Sequence, residues 1–161
     1  MISNEVRQSL QLVCSTLNKN NVDYLVVGGT AVAFYGYQRV SGIFLLDKPE
    51  IKIDLDFWYN PTNENFVNLL NALSDLEIEV SDLKHMVFDP HKTYLKIPHS
   101  SFHMDFLPQM KGLPSFKSCK LKSVKVNLDE NDLHIISKED LLINKSAVSR
   151  DIDKKDLDSL R

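Results

Sequence analysis

Two carboxylates one residue apart, Asp54 and Asp56, lie in the segment Ile51-Lys52-Ile53-Asp54-Leu55-Asp56-Phe57-Trp58, which alternates without a fault. In an extended strand, residues at i and i+2 point to the same face. Asp54 and Asp56 therefore stand side by side with Lys52 and Trp58, opposite Ile51, Ile53, Leu55 and Phe57. Like charges so placed repel unless a cation lies between them, and hard oxygen donors of this kind suit Mg²⁺ or Mn²⁺. The plain alternative is an exposed strand face that happens to carry two acids.

The segment Ser101-Phe102-His103-Met104-Asp105-Phe106-Leu107 repeats the pattern. Phe102, Met104 and Phe106 face one side and Ser101, His103 and Asp105 the other. If the two strands are neighbours, Asp105 joins Asp54 and Asp56. Three acids on one polar sheet face is a layout that serves paired metal ions in phosphoryl transfer. Upstream, Gly28-Gly29 follows an apolar strand and opens a short helix. Free N–H groups at a helix N-terminus attract phosphate, and glycine permits close approach. Taken alone, Gly28-Gly29 reads more readily as a plain tight turn, and its position upstream of the paired acids favours the anion site. Leu141, Lys145 and Val148 share one helical stripe, so the Lys145 ammonium either snorkels out of an apolar face or reaches a buried anion. His91, His99 and His103 are spaced irregularly across a turn, which disfavours a zinc set.

The elements that must position these residues are legible from periodicity. Val6, Leu10, Val13 and Leu17 predict an amphipathic first helix that stops at Asn18-Lys19-Asn20-Asn21. Tyr24 to Val27 reads as a short buried strand leading through the glycines into a helix over Thr30 to Tyr35. Asn60 and Pro61 fit the N-cap and first position of a helix with Phe66, Leu69, Leu70 and Leu73 on its core stripe. Thr93 to Ile97, Ser101 to Leu107 and Leu121 to Leu128 predict strands, with a further short one at Leu133 to Ile136. Ser137 and Asp140 form a capping box for a helix to Val148, and Ile152 to Leu160 reads as a last helix. The expected fold class is α/β (α+β), a mixed, partly antiparallel sheet with helices mainly on one face, in one domain over residues 1–161.

Composition narrows the function. With 43% apolar and 25% charged residues the chain reads as globular, and no apolar run is long enough to span a bilayer. Cys14 and Cys119 lack ligand-like spacing, and two thiols without a disulfide framework fit a cytoplasmic setting. A net charge of -3 gives no global pull toward nucleic acid. The densest positive cluster, Lys117, Lys120, Lys122 and Lys125, reads as a solvated edge rather than a polynucleotide track.

The order Gly28-Gly29-Thr30, Asp54-Leu55-Asp56 and a later Asp105 resembles the nucleotidyltransferase superfamily, the fold shared by DNA polymerase beta and many small transferases. The chain looks most similar to the small bacterial abortive-infection and type IV toxin nucleotidyltransferases. The similarity is carried by Val27-Gly28-Gly29-Thr30-Ala31-Val32-Ala33-Phe34-Tyr35-Gly36 with Arg39 after it, by Ser137 to Lys145, and by Arg150, Lys155-Asp156 and Asp158 to Leu160. It departs where relatives place an arginine motif directly before the paired acids. Here Gly42 to Glu50 intervene after Arg39-Val40-Ser41, and Phe44, Leu45 and Leu46 within that insertion are either a lid or a packed loop.

The resemblance implies that Gly28, Gly29 and Thr30 hold a triphosphate, that Asp54 and Asp56 bind Mg²⁺, and that Asp105 completes the metal site or activates the acceptor. Two ions and a nucleoside triphosphate, ATP by default, are then expected, with Lys145, Arg39 and Lys52 balancing charge. The acceptor is open among transfer RNA, a protein hydroxyl and a small molecule, and an antidote-like protein partner is compatible. The rival expectations are an inactive scaffold of the same fold that binds a nucleotide or a partner protein, and an unrelated α/β binding domain should Asp105 lie far from Asp54.

Overall fold

The computed structural model of the protein describes residues 4–35, 53–148 and Leu160. Helix α1 (Asn4–Lys19) buries Val6, Leu10, Val13, Cys14 and Leu17 on one stripe. It gives way to a turn through Asn21, whose φ of 57° lies in the left-handed region that asparagine tolerates. Strand β1 (Tyr24–Val26) is fully buried, and helix α2 (Gly28–Tyr35) follows at once. Strand β2 (Ile53–Tyr59) leads to helix α3 (Asn63–Asp75) and the short helix α4 (Ser81–His85). The hairpin of β3 (Leu95–Pro98) and β4 (Phe102–Leu107) comes next, then helix α5 (Phe116–Leu121). Strands β5 (Val124–Leu128) and β6 (Asn131–Ile135) and helix α6 (Lys138–Val148) complete the described chain.

The six strands form one sheet in the order β3-β4-β2-β1-β6-β5. Two pairs are parallel, β2 with β4 and β1 with β6, and the other three antiparallel. The mixed α/β class with a partly antiparallel sheet is as expected. Tyr24 and Val26 pair with Tyr59 and Phe57, which brings their side chains to one face with Leu55. There Tyr24 meets Phe57 edge-on, Phe57 stacks on Phe106 at 5.1 Å, and Phe66 of α3 leans on Tyr59. Cys14 of α1 hydrogen-bonds Tyr24 on this face, so the two longest described helices cover it together. Each large side chain so buried contributes roughly 1.5–3 kcal/mol.

Several boundaries fall elsewhere than the sequence predicts. The cap of α3 is Thr62, whose hydroxyl accepts the Asn65 N–H, rather than Asn60. Asn60 instead joins a buried knot: Asn65 accepts from the Asp23 N–H and donates to the Asp23 and Asn60 carbonyls. Leu121 ends helix α5 rather than starting a strand, because Ser115 caps a turn whose Phe116 and Cys119 are buried three residues apart. Strand β3 begins at Leu95 and β1 ends at Val26, each shorter than the apolar pattern predicts, whereas β6 starts two residues before the expected Leu133 and ends one residue sooner, at Ile135. Ser137 accepts the Asp140 N–H, but Asp140 turns its carboxylate to Lys122 at 2.9 Å, so this half of the capping box serves an ion pair. Lys120 pairs with Asp23 and Lys125 with Asp132, so the lysine cluster is balanced locally. Within the expected Ile152–Leu160 helix only Leu160 is described, and among the described residues no helix is long and apolar enough to cross a membrane.

Candidate active site

The parallel pairing of β2 with β4 sets Asp56 directly opposite Asp105 and Asp54 opposite His103. The adjacency that would gather the three acids on one face is therefore present. Asp54 is exposed, whereas Asp56 and Asp105 are partly buried. Burial pushes the Asp56 carboxyl up to about 7, and the neighbouring Asp105 and Asp54 charges push the same way. Lys145 and the Gly29 N–H oppose them. Asp105 Oδ1 is buried and has no hydrogen-bond partner among the described residues.

The β1–α2 turn is clamped to this pair of strands at Asp56. Gly28 has φ of +57°, and a Cβ there would lie 2.7 Å from Asp56 Oδ2, so only glycine fits. The next amide, Gly29 N–H, donates to Asp56 Oδ2 at 3.1 Å. Beneath it the Thr30 hydroxyl accepts the Asp56 N–H at 3.0 Å and donates to the Asp54 carbonyl at 3.5 Å, and the Val27 N–H reaches the Asp56 carbonyl. The positive end of α2 thus already stabilises a negative charge. Tyr35, at the other end of α2, donates to the Ile136 carbonyl at 2.7 Å and fixes the helix to the end of β6.

A cavity of about 300 Å³ opens beside the glycine turn, lined by Gly28, Gly29, Asp56, Gln109, Lys111 and Lys145 among others. Lys145 is buried on α6 and attracts Asp56, which favours the anion-reaching reading of its stripe. Gln109, Lys111 and Asn144 were not among the expected site residues. Gln109 and Lys111 arrive through the loop after β4, which Asn144 of α6 holds by donating to the Lys111 carbonyl at 2.9 Å. Gly112 lets that loop lie against α6, since its φ is +83° and a Cβ would meet the Ala147 Cβ at 2.6 Å.

Another residue missed in the sequence is Tyr94. It is 46% exposed, precedes β3, and its hydroxyl comes up against Asp105 in a loose hydrogen bond. Burial and then the Asp105 charge push that phenol up to about 12, with smaller effects from Asp56 and Asp54. Its signal was available in the parity of Tyr94 and Lys96 against the buried Leu95 and Ile97. The histidines do not gather: His91 bonds Gln109, His99 stacks on Phe102, and His103 faces Asp54 across the strands. Arg39, Lys52 and the insertion at 42–50 lie outside the described residues.

No protein-family model matches the chain, and no curated protein sequence does. Solved structures do match its fold. An antigenic nucleotidyltransferase-like protein from Paracoccidioides brasiliensis superposes with a TM-score of 0.58 at 15% identity, over 99% of this chain and 77% of that one. The antibiotic-resistance factor ANT(2'')-Ia gives 0.58 at 13% identity, over 100% of this chain and 83% of its own. The lincosamide antibiotic adenylyltransferase LnuA, solved with lincomycin bound, gives 0.54 at 15% identity, over 99% and 96%. The chain has a nucleotidyltransferase-like fold.

Within this nucleotidyltransferase-like fold, the acids fit a divalent cation in chemistry but are not a finished cage. Among the described residues no three Asp, Glu, His or Cys side chains stand together at ligand spacing. Hard carboxylate donors share one face, repel one another, and include a buried Asp105 oxygen with no partner among the described residues. That is the state a divalent cation would relieve.

Proposed function

We propose that the protein is a metal-dependent nucleotidyltransferase that moves a nucleoside monophosphate from a nucleoside triphosphate, ATP by default, to an acceptor hydroxyl with release of pyrophosphate. The observation that carries this reading is the register pairing of Asp56 with Asp105, one step from the Gly28-Gly29 turn and from Lys145. Asp54, Asp56 and Asp105 would hold two Mg²⁺ or Mn²⁺ ions, whose chemistry is to neutralise the triphosphate and to acidify the attacking hydroxyl. Gly28 and Gly29 open α2, whose positive end would face the phosphates, and Thr30 ties that turn to β2 from below. Lys145 sets a fixed positive charge in the cavity, where it acts on the triphosphate with little screening. Asp105 takes the proton of the acceptor hydroxyl. Arg39 and Lys52, outside the described residues, would balance charge as the family resemblance implies.

The fold similarity to an adenylyltransferase of lincosamide antibiotics supports transfer of a nucleotide, and a small-molecule acceptor is one class to test beside transfer RNA and protein hydroxyls. The scaffold reading draws on one specific observation: Asp56 already occupies the Gly29 amide that a phosphate would need. Incubation with α-labelled nucleoside triphosphate, Mg²⁺ and a bacterial lysate separates the two. Label should move to an acceptor while γ-label should not, and Asp105→Asn should abolish transfer while sparing much of nucleotide binding. Lys145→Ala should weaken both. No transfer from any of the four nucleotides would leave the scaffold.

A further inference from the structure

The acceptor position of the proposed reaction is next to Asp105, and a hydroxyl of the chain itself is already there. Tyr94 leaves the β3 edge on the side of Lys96, the residue opposite Asp105, and its phenol meets the Asp105 carboxylate. It directly precedes Leu95, whose register partner Phe106 is followed by Leu107, a residue lining the cavity that also contains Gly28, Gly29 and Lys145. The Thr30 hydroxyl, also close to the acids, is committed to the β2 backbone on both sides. The phenol of Tyr94 has no such commitment in its contact with Asp105 and stands on a side chain that is nearly half exposed.

We propose that Tyr94 is itself an acceptor, so that the protein attaches a nucleoside monophosphate to its own tyrosine. This rests on the nucleotidyltransferase reading of the site and adds an acceptor to it. In the step, the Tyr94 Oη attacks the α-phosphorus and an oxygen–phosphorus bond forms. The bond from the α-phosphorus to the bridging oxygen breaks, and its electron pair leaves with pyrophosphate. The phenolic proton passes to Asp105. Balance is complete without a further reactant. A nucleotidylated Tyr94 would fill the acceptor position, so the modification would limit the protein's transfer to other acceptors.

The test needs only the protein, each nucleoside triphosphate and Mg²⁺ or Mn²⁺. Intact mass spectrometry should show a gain of one nucleoside monophosphate, and fragmentation of the tryptic peptide Thr93-Tyr94-Leu95-Lys96 should place it on Tyr94. The gain should vanish in Tyr94→Phe and in Asp105→Asn. Nucleotide binding, read in parallel as a rise in melting temperature, distinguishes the failures. Binding without a mass gain, or a gain that maps elsewhere or persists in Tyr94→Phe, overturns self-modification and leaves the nucleotidyltransferase reading standing. Absence of both binding and mass gain overturns the two together. Peptide mapping of the wild type decides the matter even if Tyr94→Phe folds poorly.

Discussion

The two faces of strands β2 and β4 are built from alternate residues of the same backbone, and they are in opposite states. On one face Leu55, Phe57, Met104 and Phe106 are fully buried, and Phe57 stacks on Phe106, its partner in the register. On the other, Asp56 stands opposite Asp105 with its carboxyl destabilised, and a buried oxygen of Asp105 has no partner among the described residues. Apolar packing on the first face therefore holds together what charge repulsion on the second would push apart. Strain of this kind, set into a scaffold stable enough to tolerate it, is expected where function needs it.

Removing the packed side should have the largest effect. Phe57→Ala should cost about 3–5 kcal/mol in a urea melt, since it empties a fully buried ring site and removes the stack on Phe106. A loss below about 1 kcal/mol would show that this face does not hold the acids in place.

Relieving the charged side should act in the opposite direction. The folded Asp56 carboxyl sits at about 7 against an ordinary value of 3.8, so between these values the folded state keeps a proton that the unfolded state has lost. Stability of the metal-free protein should then fall as pH rises from about 4 to about 7, by up to about 4 kcal/mol. Asp56→Asn should flatten that part of the profile and exceed the wild type in stability at pH 8 with chelator present. Added Mg²⁺ should raise the wild-type melting temperature and leave the variant with both Asp54→Asn and Asp56→Asn unmoved. A wild type whose stability climbs through the same window would remove the repulsion from the comparison.

The smallest effect separates the two glycines that lean on Asp56. Gly28→Ala should cost about 1–3 kcal/mol, because it combines left-handed backbone with a contact of 2.7 Å. Gly29→Ala meets the same carboxylate at an ordinary 3.7 Å and should cost less than about 1 kcal/mol. Equal losses in denaturant melts would mean that the turn is not held against the acid.

The parity of the two acid strands was legible because alternation is a local property, and the same periodicity marked α1, α3 and α6. Short capped turns were less so. Asn60-Pro61 and Thr62 all suit a helix start, and only the recruitment of Asn60 and Asn65 by Asp23 decides for Thr62. Helix α5 is six residues long, too short for a stripe to show, so Leu121 passed for the start of a strand. In the candidate site, Lys145 was visible as a charge on an apolar stripe, while Gln109 and Lys111 arrive through a loop whose path depends on Gly112 meeting α6. Tyr94 could have been found by extending the parity of β3 one residue back.

Strand β1 has its neighbours far away in the chain: it pairs with β2 on one side and, through Val26 and Ile135, with β6 on the other. The glycine turn that follows it is thus fastened to the sheet centre by contacts that span most of the sequence. During synthesis from the N-terminus, β1 leaves the ribosome long before β6 exists to flank it. Pairings of such large sequence separation form slowly, since the intervening chain must be closed into a loop first. A chain cut short before β6 would carry the glycines and all three acids and still lack one of the two strands that flank β1.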